Sequence, residues 1–419
     1  MMRLIVSLHC IIFLFLSPLY ASENKQDSLA DRTVISVIPE ENPRNGPHVI
    51  SDFSSNEVAL QAVQKNLNLF SDKIRERFSI WLSRSGRYLD MMKEILKNNN
   101  VPEEMAFIPL IESGFNPHAY SPAKAAGYWQ FIASTAKRYG LQIDWWKDER
   151  RDPVKSTTAA ANYLKDLYEM FGSWNLAMAA YNAGEGKIMK ALNKSNSDNY
   201  WSLLSTRYIK NETKDYVPRF IAASLIGYSP ENYGFENFEF HPPLNYDTVI
   251  LESPVDLEVI AECAEVSVEV IKELNPELKR WCTPPDIPQY TLRIPEGSQD
   301  IFLANLSQLP GDQRFTVDIY TVRKGDTFDK ISGKTGIPVQ VILDLNDMEK
   351  IMPLKEGTKI YLPPKGKFVP DKEDRKIIRK ASHKQKKAVA KNKKSGKGKV
   401  KKISYKTDKK EHKSKSRKI

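Results

Sequence analysis

Glu112 is set apart from the other ionisable residues by its surroundings. It follows Ile108-Pro109-Leu110-Ile111, precedes Ser113-Gly114, and no further acid occurs until Asp144. An apolar flank predicts partial burial, which disfavours the ionised form and raises a carboxyl pKa towards neutrality. Such a group can protonate a leaving oxygen and later take a proton back. A glutamate near a helix end is usually structural, but here its company argues otherwise. Gly127-Tyr128-Trp129-Gln130-Phe131 and Ala180-Tyr181-Asn182-Ala183-Gly184-Glu185-Gly186 supply glycines, aromatic rings and carboxamides. Aromatic faces and amides hold sugar rings and N-acetyl groups, so the set suits an oligosaccharide cleft. Other chemistries lack parts. His9, His48, His118, His241, His383 and His412 are scattered singly, no glycine pattern cradles a phosphate, and no serine or cysteine has a partnered histidine. Neither a metal nor a cofactor is expected.

Glu112 and Tyr181 lie 69 positions apart, so only the fold can bring them together. Helical periodicity begins at Val58, Leu60, Val63, Leu67 and Leu69 and continues through Ile80-Trp81-Leu82 and Met91-Met92 to Ile95-Leu96. Asn98-Asn99-Asn100 interrupts it. Pro102 suits a first helical position and Glu103-Glu104 a first turn, while Gly114 and Pro117 end the segment that carries Glu112. Further helices are predicted over Ser134–Tyr139, Ser156–Phe171, Asn175–Tyr181 and Asp215–Ile226. No strand alternation occurs between 58 and 228, so this part is expected to be all-α.

Beyond residue 228 the texture changes. Short β-type runs at Thr248–Leu251, Tyr290–Ile294, Ile319–Val322 and Lys359–Leu362 bracket two helical stretches, giving strand-helix-helix-strand twice. The blocks are a repeat: residues 257–275 lie over 328–346 without a gap, matching Leu257 with Phe328, Ile260 with Ile331, Ile271 with Ile342 and Leu274-Asn275 with Leu345-Asn346. Only Cys263 and Cys282 follow the N-terminal segment, and an isolated pair in an exported chain suggests a disulfide, with two buried thiols as the alternative.

The charge is divided unevenly. From Lys365 onward, 24 Lys and Arg face 5 Asp and Glu, a surplus of +19 within a formal total of +11, so the remaining body is near −8. That tail has too few large apolar side chains to offset chain entropy and is expected to be disordered. At the other end, Arg3, the apolar run Leu4–Leu16, Pro18 and Ala21 have the layout of a secretory signal cleaved after Ala21. Cys10 follows His9 too early in that run for a lipoprotein signal. Export argues against a nucleic-acid partner for the basic tail, leaving anionic envelope polymers or a membrane surface.

Glu112-Ser113, Gly127-Tyr128-Trp129-Gln130, Ala180-Tyr181-Asn182-Ala183-Gly184 and Glu212-Thr213-Lys214-Asp215-Tyr216-Val217-Pro218, in that order, resemble the lytic transglycosylase domain over about residues 100–228. The resemblance implies a lysozyme-like, mostly helical fold that cleaves peptidoglycan, and the preceding helices are similar to the extension of the membrane-bound murein transglycosylase D type. The repeated blocks resemble LysM modules, which bind glycans containing N-acetylglucosamine. The second block, opening Tyr320-Thr321-Val322-Arg323-Lys324-Gly325-Asp326, matches well, whereas the first lacks the Gly-Asp turn. The implied organisation is a signal peptide (1–21), a linker (22–54), a helical extension (55–100), the catalytic domain (101–228), two small α+β LysM-like modules (246–297 and 318–364) and a disordered basic tail (365–419).

By the same resemblance Glu112 is the single catalytic acid/base, Ser113 positions it or the sugar, and Gln130, Tyr181, Asn182 and Tyr216 line the cleft. Peptidoglycan strands are the implied partner, in the periplasm of a Gram-negative bacterium. One carboxylate suffices because the muramyl C6 hydroxyl replaces water and gives a 1,6-anhydro product. A goose-type lysozyme-like hydrolase would instead need a base carboxylate such as Asp144, Asp148, Asp152 or Asp215. A wall-binding protein with a relic helical domain would need no acid at all.

Overall fold

The apolar periodicity downstream of Val58 folds as helices in the computed structural model, which describes Phe53 and residues 56–367. The expected signal peptide and most of the linker and basic tail lie outside these residues, although Phe53, at the linker's end, is buried in the core. The chain divides into two units, one ending at Phe315 and the other beginning at Thr316.

Among the described residues the first unit opens with ten α-helices: α1 (Glu57–Asn68), α2 (Arg75–Ser85), α3 (Leu89–Asn98), α4 (Ile108–Glu112), α5 (Ala133–Arg138), α6 (Pro153–Phe171), α7 (Trp174–Ala183), α8 (Glu185–Ser195), α9 (Tyr200–Leu203) and α10 (Asn211–Tyr228). The all-α expectation for 58–228 holds, with only isolated bridges such as Ala126 to Phe131. Two helices, α8 and α9, were not expected from the sequence. Capping fixes the longest helix: Asp152 accepts from the amides of Val154 and Lys155 at 2.9 and 2.8 Å, Pro153 follows it, and left-handed Gly172 ends α6.

At the centre is α10, whose Val217, Phe220, Ile221, Ala222, Ala223, Leu225 and Ile226 are all buried. From Phe220 to Ile226 the helix is apolar on nearly every side, as suits the inside of a bundle, and α1, α4 and α7 pack around it. Pro218 lies within it and cannot donate to the carbonyl of Lys214. The Tyr200 hydroxyl fills that role, reaching the Lys214 and Thr213 carbonyls at 2.8 and 2.9 Å. The helix therefore carries proline without leaving a buried acceptor unmatched.

Strands β1 (Tyr246–Leu251) and β2 (Tyr290–Pro295) pair antiparallel, Tyr246 opposite Pro295 and Leu251 opposite Tyr290, around α11 (Leu257–Cys263) and α12 (Val268–Leu274). Two further helices, α13 (Gln299–Gln308) and α14 (Gly311–Arg314), complete the unit. This first module is joined to the helical domain by backbone and side chains. Asp148 N donates to Glu277 O at 2.9 Å and Lys279 N to Trp146 O at 2.9 Å. The Arg280 guanidinium stacks 3.8 Å over the Trp145 ring, and Trp281 packs on Trp145 and Trp146.

The disulfide suggested by the sequence does not form: Cys263 and Cys282 are both buried thiols and are not bridged. Cys263 closes α11 on its core-facing side, while Cys282 lies in a loop bridged to Asp256. Each behaves as a small apolar core group, and burial raises the Cys263 thiol above its ordinary range.

The second unit is the simpler module: β3 (Asp318–Thr321) and β4 (Lys359–Leu362) pair antiparallel, Asp318 opposite Leu362, around α15 (Phe328–Thr335) and α16 (Val339–Leu345). The repeated Leu-Asn now has a reason. Asn275 and Asn346 each pair through the carboxamide with the amide and carbonyl of one strand residue, Arg293 and Tyr361 respectively, at 2.8–2.9 Å. One side chain thereby ties the second helix to the second strand in both modules. Where the first module lacks the Gly-Asp turn, the second uses Asp326 to accept from Tyr320 Oη at 2.7 Å, Arg323 N at 3.0 Å and Lys334 Nζ at 2.8 Å.

Candidate active site

Glu112 is the last residue of α4, and Ile108, Pro109 and Leu110 before it are buried. The turn that follows runs through left-handed Gly114, where a Cβ would meet the Trp81 ring at 2.2 Å. The carboxyl points into a cleft of about 770 Å³, within the size range of small-molecule and oligosaccharide sites. Burial pushes its pKa up from 4.5 to about 7; the Tyr216 hydrogen bond opposes that rise, the charge of Glu212 adds to it, and Arg219 offsets it. Tyr216 Oη donates to Glu112 Oε1 at 2.8 Å. The phenol is buried in α10, and its own pKa is held far above the usual range by burial and by the neighbouring carboxyl.

One wall is the loop 126–131. Gly127 is left-handed and packs so closely that a Cβ would stand 1.8 Å from the Arg150 carbonyl, which explains the glycine of the Gly-Tyr-Trp-Gln motif. The buried Trp129 indole donates to Thr157 Oγ1 at 3.0 Å. Gln130 adopts a positive φ of 48°, a strained setting for a non-glycine residue, and its amide donates to the Gly127 and Ala119 carbonyls at 2.9 and 3.3 Å. Strain held this firmly is often found at functional sites. Tyr181, on α7, crosses from the opposite wall and donates to Trp129 O at 2.7 Å. Next to it, Asn182 accepts from Thr213 Oγ1 at 3.0 Å.

Glu112, Gln130, Tyr181 and Asn182 therefore line one cleft. The other two residues singled out from the sequence stand behind its surface. Ser113 donates to Tyr128 O at 2.8 Å, tying the end of α4 to the loop, rather than facing a sugar. Tyr216 meets the cleft only through Glu112. The four aspartates open to a hydrolase reading do not line the cleft. Asp148 is bound by Arg150 at 2.7 Å, and Asp152 caps α6 and meets Arg293. Asp215 is held by Lys65, Asn66 and Arg219. Asp144 accepts from the amides of Trp146 and Lys147. Several lining residues were missed from the sequence, among them Thr213 and the lysines of α8. The i, i+3, i+7 spacing of Lys187, Lys190 and Lys194 was the available signal. Among the described residues no group of three His, Cys, Asp or Glu is placed to hold a metal.

Comparison with known proteins places the domains. The Transglycosylase SLT domain family matches residues 91–204. The LysM-like domain of "Lytic transglycosylase MltD" matches 245–311, and the LysM domain matches 320–363. The chain is 34% identical over 305 residues to the membrane-bound lytic murein transglycosylase D of Escherichia coli (strain K12), covering 67% of this chain and 66% of that protein. The chain belongs to the MltD-type lytic transglycosylase family. The block without the Gly-Asp turn is the one matched by the family's own LysM-like domain. A more distant relative, the membrane-bound lytic murein transglycosylase C of Haemophilus ducreyi (strain 35000HP / ATCC 700724), is 23% identical over 159 residues, covering 32% of this chain and 43% of that one. The 70 kDa soluble lytic transglycosylase structure from Escherichia coli overlaps with 42% of this chain and 30% of its own, at 22% identity and a TM-score of 0.31, a likeness too partial to support a structural argument.

Proposed function

We propose that this member of the MltD-type family is a peptidoglycan lytic transglycosylase using Glu112 alone as acid and base. The observation that carries the reading is the Glu112 carboxyl, raised to about 7 and held by Tyr216 in a cleft that the four candidate aspartates do not line; of the other lining carboxylates, Glu185 pairs with Arg138 and Glu212 is exposed at the rim. Protonated Glu112 gives its proton to the oxygen between N-acetylmuramic acid and N-acetylglucosamine as that bond breaks. The resulting carboxylate then takes the proton of the muramyl C6 hydroxyl, whose oxygen attacks C1 and closes the 1,6-anhydro ring. The proton count is restored, no water is consumed, and the substrate's acetamido group can assist at C1. Gln130, Tyr181 and Asn182 hold the sugars on either side of the reacting bond. Ser113 and Tyr216 act through other groups, the first fixing the loop and the second the acid.

In this reading the LysM-like modules retain the enzyme on glycan, and the apolar run Leu4–Leu16 exports it to the periplasm. The basic tail then holds anionic envelope polymers or a membrane surface. Mass spectrometry of sacculi digested with the purified chain tests the reaction. Anhydro-muramyl ends are expected, and they vanish with Glu112→Gln. Reducing muramic acid ends would assign a lysozyme-like hydrolase instead. Truncation after Pro364 is expected to weaken binding to sacculi and anionic vesicles in low salt; unchanged binding would remove the role given to the tail.

A further inference from the structure

One end of the cleft is cationic in a way that sugar chemistry does not require. Lys187, Lys190 and Lys194 line it from α8, and Arg207 and Lys210 line it from the segment between α9 and α10. The three lysines follow the i, i+3, i+7 spacing of one helix face, and all five side chains are exposed. Among the described residues none of the five is in an ion pair. Lys194 rests only against the Tyr208 ring, 5.9 Å from its centroid. Of the acids nearby, Glu185 is matched by Arg138 at 3.6 Å and accepts from Tyr163, leaving Glu212 as the one further carboxylate facing the rim besides Glu112. A neutral N-acetylated glycan would leave this charge without a partner.

We infer that Lys187, Lys190 and Lys194, with Arg207 and Lys210, form a subsite for the anionic peptide branches of a peptidoglycan strand. This rests on the proposed peptidoglycan reading and names what the substrate must carry. A strand stripped of its peptides still has a lactyl carboxylate, but that group lies against the sugar ring. The lysine row extends seven residues along a helix, roughly 10 Å. About three extended peptide residues cover the same length, so a branch bearing several carboxylates fits the row and a single ring-bound carboxylate does not. Exposed pairs of this kind individually contribute little, but three acting together change affinity by about tenfold.

The test measures binding of soluble peptide-bearing glycan strands, and of the same strands after amidase removal of the peptides, to the full chain carrying Glu112→Gln. The comparison is made with and without Lys187→Gln, Lys190→Gln and Lys194→Gln together. The ratio of the two affinities is expected to favour peptide-bearing strands, to fall about tenfold in the lysine variant, and to shrink with added salt. A ratio unmoved by the three substitutions overturns the subsite. So does an equal loss on both strands, which would assign the row to the glycan's own carboxylate. Circular dichroism confirms that the variant folds, and Lys187→Arg, Lys190→Arg and Lys194→Arg together are expected to restore the ratio. Absence of anhydro ends with the unsubstituted enzyme would instead remove the proposed reaction, a result distinguishable from either binding outcome.

Discussion

Arg293 Nη2 lies 2.6 Å from Asp152 Oδ2, and both side chains are buried. The same aspartate caps α6 through its other oxygen, so one carboxylate starts a helix of the catalytic domain and anchors the first LysM-like module. Arg293 also meets Glu277 at 3.4 Å, and Glu277 accepts from Tyr290 at 3.0 Å. Burial and the charge of Asp152 raise the Glu277 carboxyl above its ordinary range. The guanidinium is what makes two buried acids tolerable there. Because the 148–152 segment it braces packs directly on Gly127, the module supports a cleft wall that it does not touch.

Arg293→Met is accordingly expected to destabilise the fold by about 3–5 kcal/mol, since it strands buried carboxylates without a counter-charge. Arg293→Lys keeps the charge but loses the two-pronged contact and should fall between. Denaturant unfolding of the three proteins measures the order. A loss below 1 kcal/mol for the methionine variant would mean that the ion cluster is accessible to water.

The raised pKa of Glu112 fixes the sign of two pH effects. Proton donation needs the neutral acid, so turnover should decline above about pH 7, by about tenfold per unit. Stability moves the same way. Between pH 4.5 and about 7 the folded protein binds more protons at this site than the unfolded chain, so stability falls as pH rises through that window. Glu112→Gln removes the penalty and is expected to gain up to about 3 kcal/mol at pH 8 and nothing at pH 4. Paired melts at the two pH values check it; an equal gain at both would disconnect the stability from ionisation.

Tyr216→Phe separates orientation from binding. The lost hydrogen bond had been lowering the Glu112 pKa, so the alkaline limb of the rate profile should move to higher pH. With the carboxyl no longer held, kcat should drop about ten- to a hundredfold while KM changes little. A limb that stays in place, or a loss carried by KM, would place Tyr216 in direct contact with substrate instead.

How much of this could be read in advance depended on range. The segment Ile108–Ile111 announced the burial of Glu112 because its signal is local, and the 3.6-residue spacing did the same for α6, α7 and α10. The matched Leu-Asn pairs exposed the repeat, though not that the asparagine clamps a strand. Glu112 and Tyr216 are 104 positions apart, and Asp152 and Arg293 are 141 apart. No periodicity encodes such pairs, so only similarity to a family could suggest the first, and nothing suggested the second. The cysteines misled for a related reason: an isolated pair implies a bridge only if the fold aligns the two thiols, and this one buries them separately.

The Tyr200 hydroxyl and Pro218 form a compensating pair that can be tested by a double-mutant cycle. Pro218 leaves the Lys214 carbonyl of α10 without its helical donor, and Tyr200 Oη reaches that oxygen at 2.8 Å. Tyr200→Phe alone should therefore orphan a partly buried acceptor and cost about 1 kcal/mol or more. In a Pro218→Ala background the restored amide can donate to Lys214 O, so the same substitution should cost clearly less. A coupling of about 1 kcal/mol is expected from denaturant unfolding of the four proteins. Additive losses would show that the Tyr200 hydroxyl does not compensate for the donor that Pro218 lacks. The outcome bears on catalysis because Tyr216 lies on the same helix, two residues before the proline. If the pair sets the path of the helix, Tyr200→Phe should also lower kcat at pH 6, where the acid is protonated, and Pro218→Ala should not repair that loss even as it restores stability.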